Sequence, residues 1–275
     1  MFAGKLVWAC ISPFEMDVHA PAISPCGNEA VGFQMDALTL FDLSSSAAAA
    51  AAEEEEEEEE EAGLLAGEPR TVAELGGARA MCSVFAQDGC LHVLADGAPP
   101  FVVILPHEGG LEGVFAMPTL GPPPFTLAAV DTHFAAASCQ EAVLVPRVAP
   151  HVHVRIQLEH LQPPALCFSS GGESLFILRR GTHELAEVAL DGTPLRAIVF
   201  GALDCDLLLP LPGGNLLSVF GCTASEHSWV GLGTTACVHS FDMMDDWGLD
   251  TQVETAALCP MGLCTWTARG VFVYK

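Results

Sequence analysis

Lysine is nearly missing from this chain: Lys5 and Lys275 are the only two in 275 residues, and the eight arginines stand singly except for Arg179-Arg180. A protein that grips phosphate backbones needs clustered cations to displace counterions. No nucleic acid is therefore expected as a direct partner, and no membrane surface of anionic lipid either. The eleven cysteines contain no C-x-x-C pair; their number is odd and they scatter singly through apolar segments. Such thiols read as small buried hydrophobes in a reducing compartment. Met1–Cys10 lacks the apolar stretch and cleavage site of a secretory leader. The long uncharged runs are broken as well: Gly113–Val130 holds Pro122, Pro123 and Pro124, and Leu207–Ser225 holds Pro210, Pro212, Gly213 and Gly214. They read as strand–turn–strand, not as membrane helices. The expectation is a soluble intracellular protein, cytoplasmic or nuclear.

What the chain has in excess is negative charge. Nine of its 35 acidic residues form one run, Glu53–Glu61, and setting that run aside reduces the formal charge from −25 to −16. Proteins are the expected partners, and this charge favours basic ones by steering their approach. Hydrophobic residues make up 51% and charged residues 16%, ample material for a core.

The strongest signal is periodic. Six times a short apolar strand runs into a tight turn and out into another apolar strand. The turns are Cys26-Gly27-Asn28, Gln87-Asp88-Gly89, Asp131-Thr132, Gly171-Gly172, Gly213-Gly214 and Met261-Gly262. Their spacing is 61, 43, 40, 42 and 49 residues, and the first step falls to 42 once Ser44–Ala62 is left out. That segment of serine, alanine and glutamate reads as a disordered low-complexity insert between the first and second units, because adjacent like charges oppose helix formation. One unit shows the scheme closely. Ala165–Ser170, Glu173–Arg180 and His183–Leu190 are three strands joined by glycine turns. Val148–Leu158, which alternates polar and apolar residues from His151 onward, supplies the fourth. Four strands in about 42 residues is the size of a propeller blade.

Ile23-Ser24-Pro25-Cys26-Gly27 and Leu40-Phe41-Asp42-Leu43, with a weaker echo in Ser240-Phe241-Asp242-Met243, are similar to the turn and strand-end motifs of the WD40-like β-propeller superfamily. Gly-His and Trp-Asp dipeptides, usual in those repeats, are missing. The resemblance implies an all-β propeller of six or seven four-stranded blades spanning residues 1–275 as one domain. An open propeller edge invites aggregation. Leu6–Ile11 is the expected closing strand; the alternative is a piece of a longer protein or an assembly that completes the ring. Two short stretches, Leu207–Leu217 and Gly262–Trp266, also resemble the propeller region of Elongator's largest subunit, which would make the chain part of a large-complex subunit.

Catalytic motifs are lacking: there is no Gly-x-Ser-x-Gly elbow, no Walker loop and no full Gly-x-Gly-x-x-Gly, which Gly231–Ala236 only approaches. His151 and His153 share a strand face without a third metal ligand, and Cys259 and Cys264, with four residues between them, belong on the two strands of one hairpin. Asp242, Asp245, Asp246 and Asp250 lack calcium-loop spacing. No catalytic residue, cofactor or metal is assigned. The favoured function is a non-catalytic scaffold. The alternative is a hydrolase- or lactonase-like propeller enzyme with a cation in its channel, which requires inward-facing acids, amides or histidines from several blades. Candidate contact residues are Trp229 and Trp247 as aromatic anchors, Asp245 and Asp246 between them, and the acidic run from Glu53 to Glu61.

Overall fold

The computed structural model describes residues 6–11, 18–34, 37–43, 70–106, 111–117, 120–159, 161–202, 204–231, 233–243, 252–260, 262–267 and 270–274. These form 24 strands in six four-stranded antiparallel sheets, and no helix occurs among the described residues. The first strand, β1 (Leu6–Ile11), is set apart from its neighbours in sequence. Blade 1 is β2 (His19–Ile23), β3 (Glu29–Gln34), β4 (Ala37–Asp42) and β5 (Arg70–Glu74). Blade 2 is β6 (Arg79–Phe85), β7 (Leu91–Asp96), β8 (Phe101–Leu105) and β9 (Gly113–Ala116). Blade 3 is β10 (Thr126–Ala129), β11 (His133–Ala137), β12 (Glu141–Pro146) and β13 (Val154–Gln157). Blade 4 follows with β14 (Ala165–Phe168), β15 (Ser174–Leu178), β16 (Glu184–Ala189) and β17 (Pro194–Val199). Blade 5 is β18 (Leu207–Pro210), β19 (Leu216–Phe220), β20 (Thr223–Trp229) and β21 (Thr235–Asp242). In blade 6, β22 (Val253–Cys259), β23 (Gly262–Thr267) and β24 (Gly270–Tyr274) are completed by β1, paired antiparallel to β24. The N-terminal strand closes the ring.

The middle strands are continuously apolar because both faces of each blade are covered. In β15, Leu175 and Ile177 pack toward blade 3, whereas Phe176 and Leu178 pack toward blade 5. In β11, Phe134 and Ala136 meet blade 2, and Ala135 and Ala137 meet blade 4. The buried residues accordingly fall into six clusters, one at each junction between neighbouring blades. Alternation of side chains about a strand thus serves two interfaces at once.

All six turns picked out in the sequence join the first and second strands of a blade. In an antiparallel meander these lie at the same end as the third-to-fourth connections, here called the near side. Gly27 and Gly172 have φ of 77° and 70°. That conformation excludes most side chains, which is why glycine marks these turns. Leu43, the last described residue before the acidic run in sequence, lies on this side: its amide donates to the Asn28 carbonyl at 2.7 Å, next to the first turn.

Two details differ from the sequence expectation. The outer strand expected over Val148–Leu158 is only Val154–Gln157, and it completes blade 3 rather than opening blade 4. Ala149 starts a tight turn, its carbonyl accepting the Val152 amide, so the alternating stretch bends before it extends. Leu40–Leu43 ends a third strand, whereas Ser240–Met243 ends a fourth strand, so the two echoes are not equivalent positions.

Candidate functional site

The near-side rim between blades 2 and 3 is built around Arg147, which follows β12. Its guanidinium reaches Asp88 of the β6–β7 turn, Glu112 before β9 at 2.7 Å, the Asp131 carbonyl at 2.9 Å and the Cys90 sulfur at 3.3 Å. The Arg147 side chain is only 10% exposed. Asp88 also accepts the Cys90 amide at 3.0 Å, and its own amide donates to the Asp131 carboxylate at 2.8 Å. Partial burial works against the Asp88 charge, but Arg147 and the Cys90 amide outweigh it and hold the carboxyl below its ordinary range. Arg147 is thus a planar donor that ties three separate loops together. Replacing it with methionine is expected to cost about 2–3 kcal/mol in urea unfolding near neutral pH, since charged hydrogen-bond partners lose their donor. Stability from a depressed carboxyl is present above its unfolded pKa and lost as pH falls through the folded value. The Arg147→Met chain should therefore show a flatter acid limb as well.

Around this clasp the surface is apolar. The chain neighbours of the ion pair, Leu111 beside Glu112 and Val148 beside Arg147, are 60% and 96% exposed. Val152 and Val114 are also exposed. His151 and His153 lie in this same β12–β13 connection, exposed, and not on a strand face. Among the described residues no group of three or more histidines, cysteines or acids is spaced to hold a metal ion.

Between blades 4 and 5 a second set of contacts runs along the near side. The Ser174 hydroxyl donates to Glu187 at 2.7 Å, and Arg196 bonds the other Glu187 oxygen. Arg196 lies over the Trp229 ring at 4.1 Å, and the Trp229 indole N–H donates to the Gly214 carbonyl at 2.9 Å. Trp229 also meets Phe176 at 6.2 Å between ring centroids. This candidate anchor is half-buried, with much of its ring committed to joining two blades. Asp245, Asp246 and Trp247 lie outside the described residues, as do Glu53 and Glu61. β21 ends and β22 begins at the far end of their sheets from the Trp229 turn. Of the chosen residues, Trp229 is the one that lies among the described residues.

The six first strands surround an axial channel of about 460 Å³. Its wall is largely alanine, leucine and other apolar groups. The charged residues on it are Glu254 and the pair Arg180–Asp206, joined at 3.2 Å. The described inner strands do not form the polar column that a channel cation requires.

Neither a family profile nor any curated protein matches the sequence. In shape, however, a chain in the crystal structure of the mitotic checkpoint complex is similar, with a TM-score of 0.57 and 12% identity over 98% of this chain and 93% of that one. The fold is that of a six-bladed β-propeller. At such low identity the likeness carries the architecture, and function has to be argued from the surface.

Sequence reasoning missed the polar groups that the propeller ring buries between its blades. His92, in the second strand of blade 2, is enclosed against Phe134, and its Nδ1 donates to the Cys90 carbonyl at 3.3 Å. A carbonyl only accepts, so Nδ1 carries the proton and Nε2 is left without a partner. His227 bonds Ser218 through Nε2 at 2.8 Å and stacks near Phe200 at 4.3 Å, with Nδ1 unpartnered. Burial pushes both imidazoles down to about 4. Burial likewise drives the Cys205 thiol up to about 12 and Cys167 well above its ordinary value, leaving them as inert packing groups. Among the described residues, no helix is long and apolar enough to cross a membrane.

Proposed function

We propose that this propeller is a non-catalytic protein-interaction scaffold, a subunit or adaptor of a larger assembly, and that its near-side rim on blades 2 and 3 is the principal contact. One observation carries this: an ion-paired clasp that fixes the loops in place is ringed by the exposed apolar side chains Leu111, Val148 and Val152. Rigid apolar groups beside satisfied charges are what an interface core with a polar rim requires. The partner is basic. Glu53–Glu61 follows in sequence from Leu43, which lies on this same side, and would steer cationic segments toward it. Trp229 adds a near-side contact, and Asp245, Asp246 and Trp247 belong to a separate, secondary one.

The test compares tagged chains by native purification with quantitative mass spectrometry. Leu111→Glu with Val148→Glu is expected to reduce recovery of a stoichiometric partner at least tenfold, a loss of about 1.4 kcal/mol or more. Leu161→Glu, at a 99% exposed position in the β13–β14 connection of the far side, is expected to bind as the parent does. A chain lacking residues 47–61 should release the partner at lower salt. Equal recovery from the rim variant and Leu161→Glu, or no stoichiometric partner at all, would count against the scaffold. The co-eluting proteins also show whether the assembly is the one suggested by the Elongator-like stretches.

A further inference from the structure

We propose that Cys259 and Cys264 are a reversible disulfide-forming pair, joined by oxidants of the peroxide class and parted by dithiols. The two residues flank the turn between β22 and β23, with their sulfurs 2.9 Å apart. The hairpin register explains the approach. Cys259 stands opposite Gly262, and Ala257 stands opposite Cys264, so the cysteines are diagonal neighbours on one face of the hairpin. Gly262 has no side chain to hold them apart. A disulfide bond is about 2.05 Å long, so the sulfurs need to approach by less than about 1 Å.

Their surroundings assign different roles. Cys264 is fully buried at the junction of blades 6 and 1, in the cluster that holds Ile23, Phe41 and Trp266. The hydrogen bond to Cys259, reinforced by burial, keeps Cys264 in the thiol form. Cys259 is only half-buried at the edge of the same cluster, where an oxidant can reach it. Its sulfur attacks one peroxide oxygen, the O–O bond breaks, and a sulfenic acid and one water result. The Cys264 sulfur then displaces the sulfenic hydroxyl, which leaves with the Cys264 proton as a second water. Two thiols and one hydrogen peroxide give one disulfide and two waters. The other described thiols are arranged differently. Cys237 is exposed and donates to the His239 carbonyl, and Cys26 is exposed with its sulfur 3.2 Å from the Ser24 hydroxyl.

The experiment uses the whole reduced chain and is independent of any binding partner. Hydrogen peroxide is added, remaining thiols are blocked with N-ethylmaleimide, and the chain is digested so that residues 259–264 stay in one peptide. That peptide is expected to become lighter by about 2 Da, the two thiol hydrogens, to carry no maleimide, and to revert with dithiothreitol. Cys26 and Cys237 should remain free to react. Cys259→Ser should abolish the mass loss. Cys264→Ala, which adds no polar group to the buried site, should abolish it too, with circular dichroism confirming that each variant is folded. The proposal is overturned if both cysteines still take maleimide after peroxide has oxidised other thiols. A disulfide from Cys26 to either residue would overturn it equally.

Discussion

A chain lacking residues 1–11 is expected to lose the closed ring. The β1–β24 ladder has five paired positions, and β24 is buried along its whole length. At about 1 kcal/mol net for each backbone bond, the deletion removes on the order of 5 kcal/mol, comparable with the entire stability of many domains. It also leaves the edge of a strand reading Gly-Val-Phe-Val-Tyr open to other chains. Size-exclusion chromatography and near-ultraviolet circular dichroism should show an aggregated or loosely packed species. A synthetic peptide of residues 1–15, added at refolding, should restore the monomer. A deletion variant that stays monomeric and unfolds within about 1 kcal/mol of the parent would mean that blade 6 does not depend on β1.

The second large effect concerns pH. His92 and His227 are held near 4 in the folded protein by burial, against 6.5 as the ordinary value. With depressed folded values, the unfolded chain binds protons first as pH drops below 6.5. Stability therefore falls through that range and levels off only near 4. Linkage gives about 2 kcal/mol from each histidine at pH 5 relative to pH 7.5, or about 4 kcal/mol together. Urea unfolding at the two pH values measures this directly. His92→Leu and His227→Gln will shift stability at neutral pH in their own ways. Each should nevertheless remove roughly half of the acid-dependent loss. An unchanged difference between the two pH values in both variants would show that the buried imidazoles do not cause it.

The blade rhythm was legible because turn chemistry is local. Gly27, Gly89 and Gly172 adopt positive φ values that few other residues tolerate, and each announces its hairpin within a few positions. A ring of six or seven blades followed from that rhythm, and the closing role of Leu6–Ile11 from the hazard of an open edge. The Cys259–Cys264 hairpin was readable for the same reason, although the contact of its two sulfurs was not. Arg147 was invisible. Its partners Asp88, Glu112 and Asp131 lie 59, 35 and 16 residues away on three loops, and only ring geometry brings them together. His92 was equally hidden, because a lone histidine in an apolar strand looks the same whether it faces water or a neighbouring blade. The outer strand of blade 3 was drawn too long at His151–His153, where polar alternation continues through a turn.

Closure has a consequence in time as well as in energy. Leu6 pairs with Tyr274, and Ile11 with Gly270, so the last sheet joins residues some 260 positions apart. At a synthesis rate of about 5–20 residues per second, roughly 13 to 50 s separate the emergence of β1 from that of its partner. For that interval a finished strand waits on the nascent chain with nothing to pair with, while five blades assemble behind it. Contacts of such long span form slowly even after release. The cell must therefore shelter β1 for that whole interval, and its capture by other chains is the hazard peculiar to a ring sealed by a strand made so long before its partner.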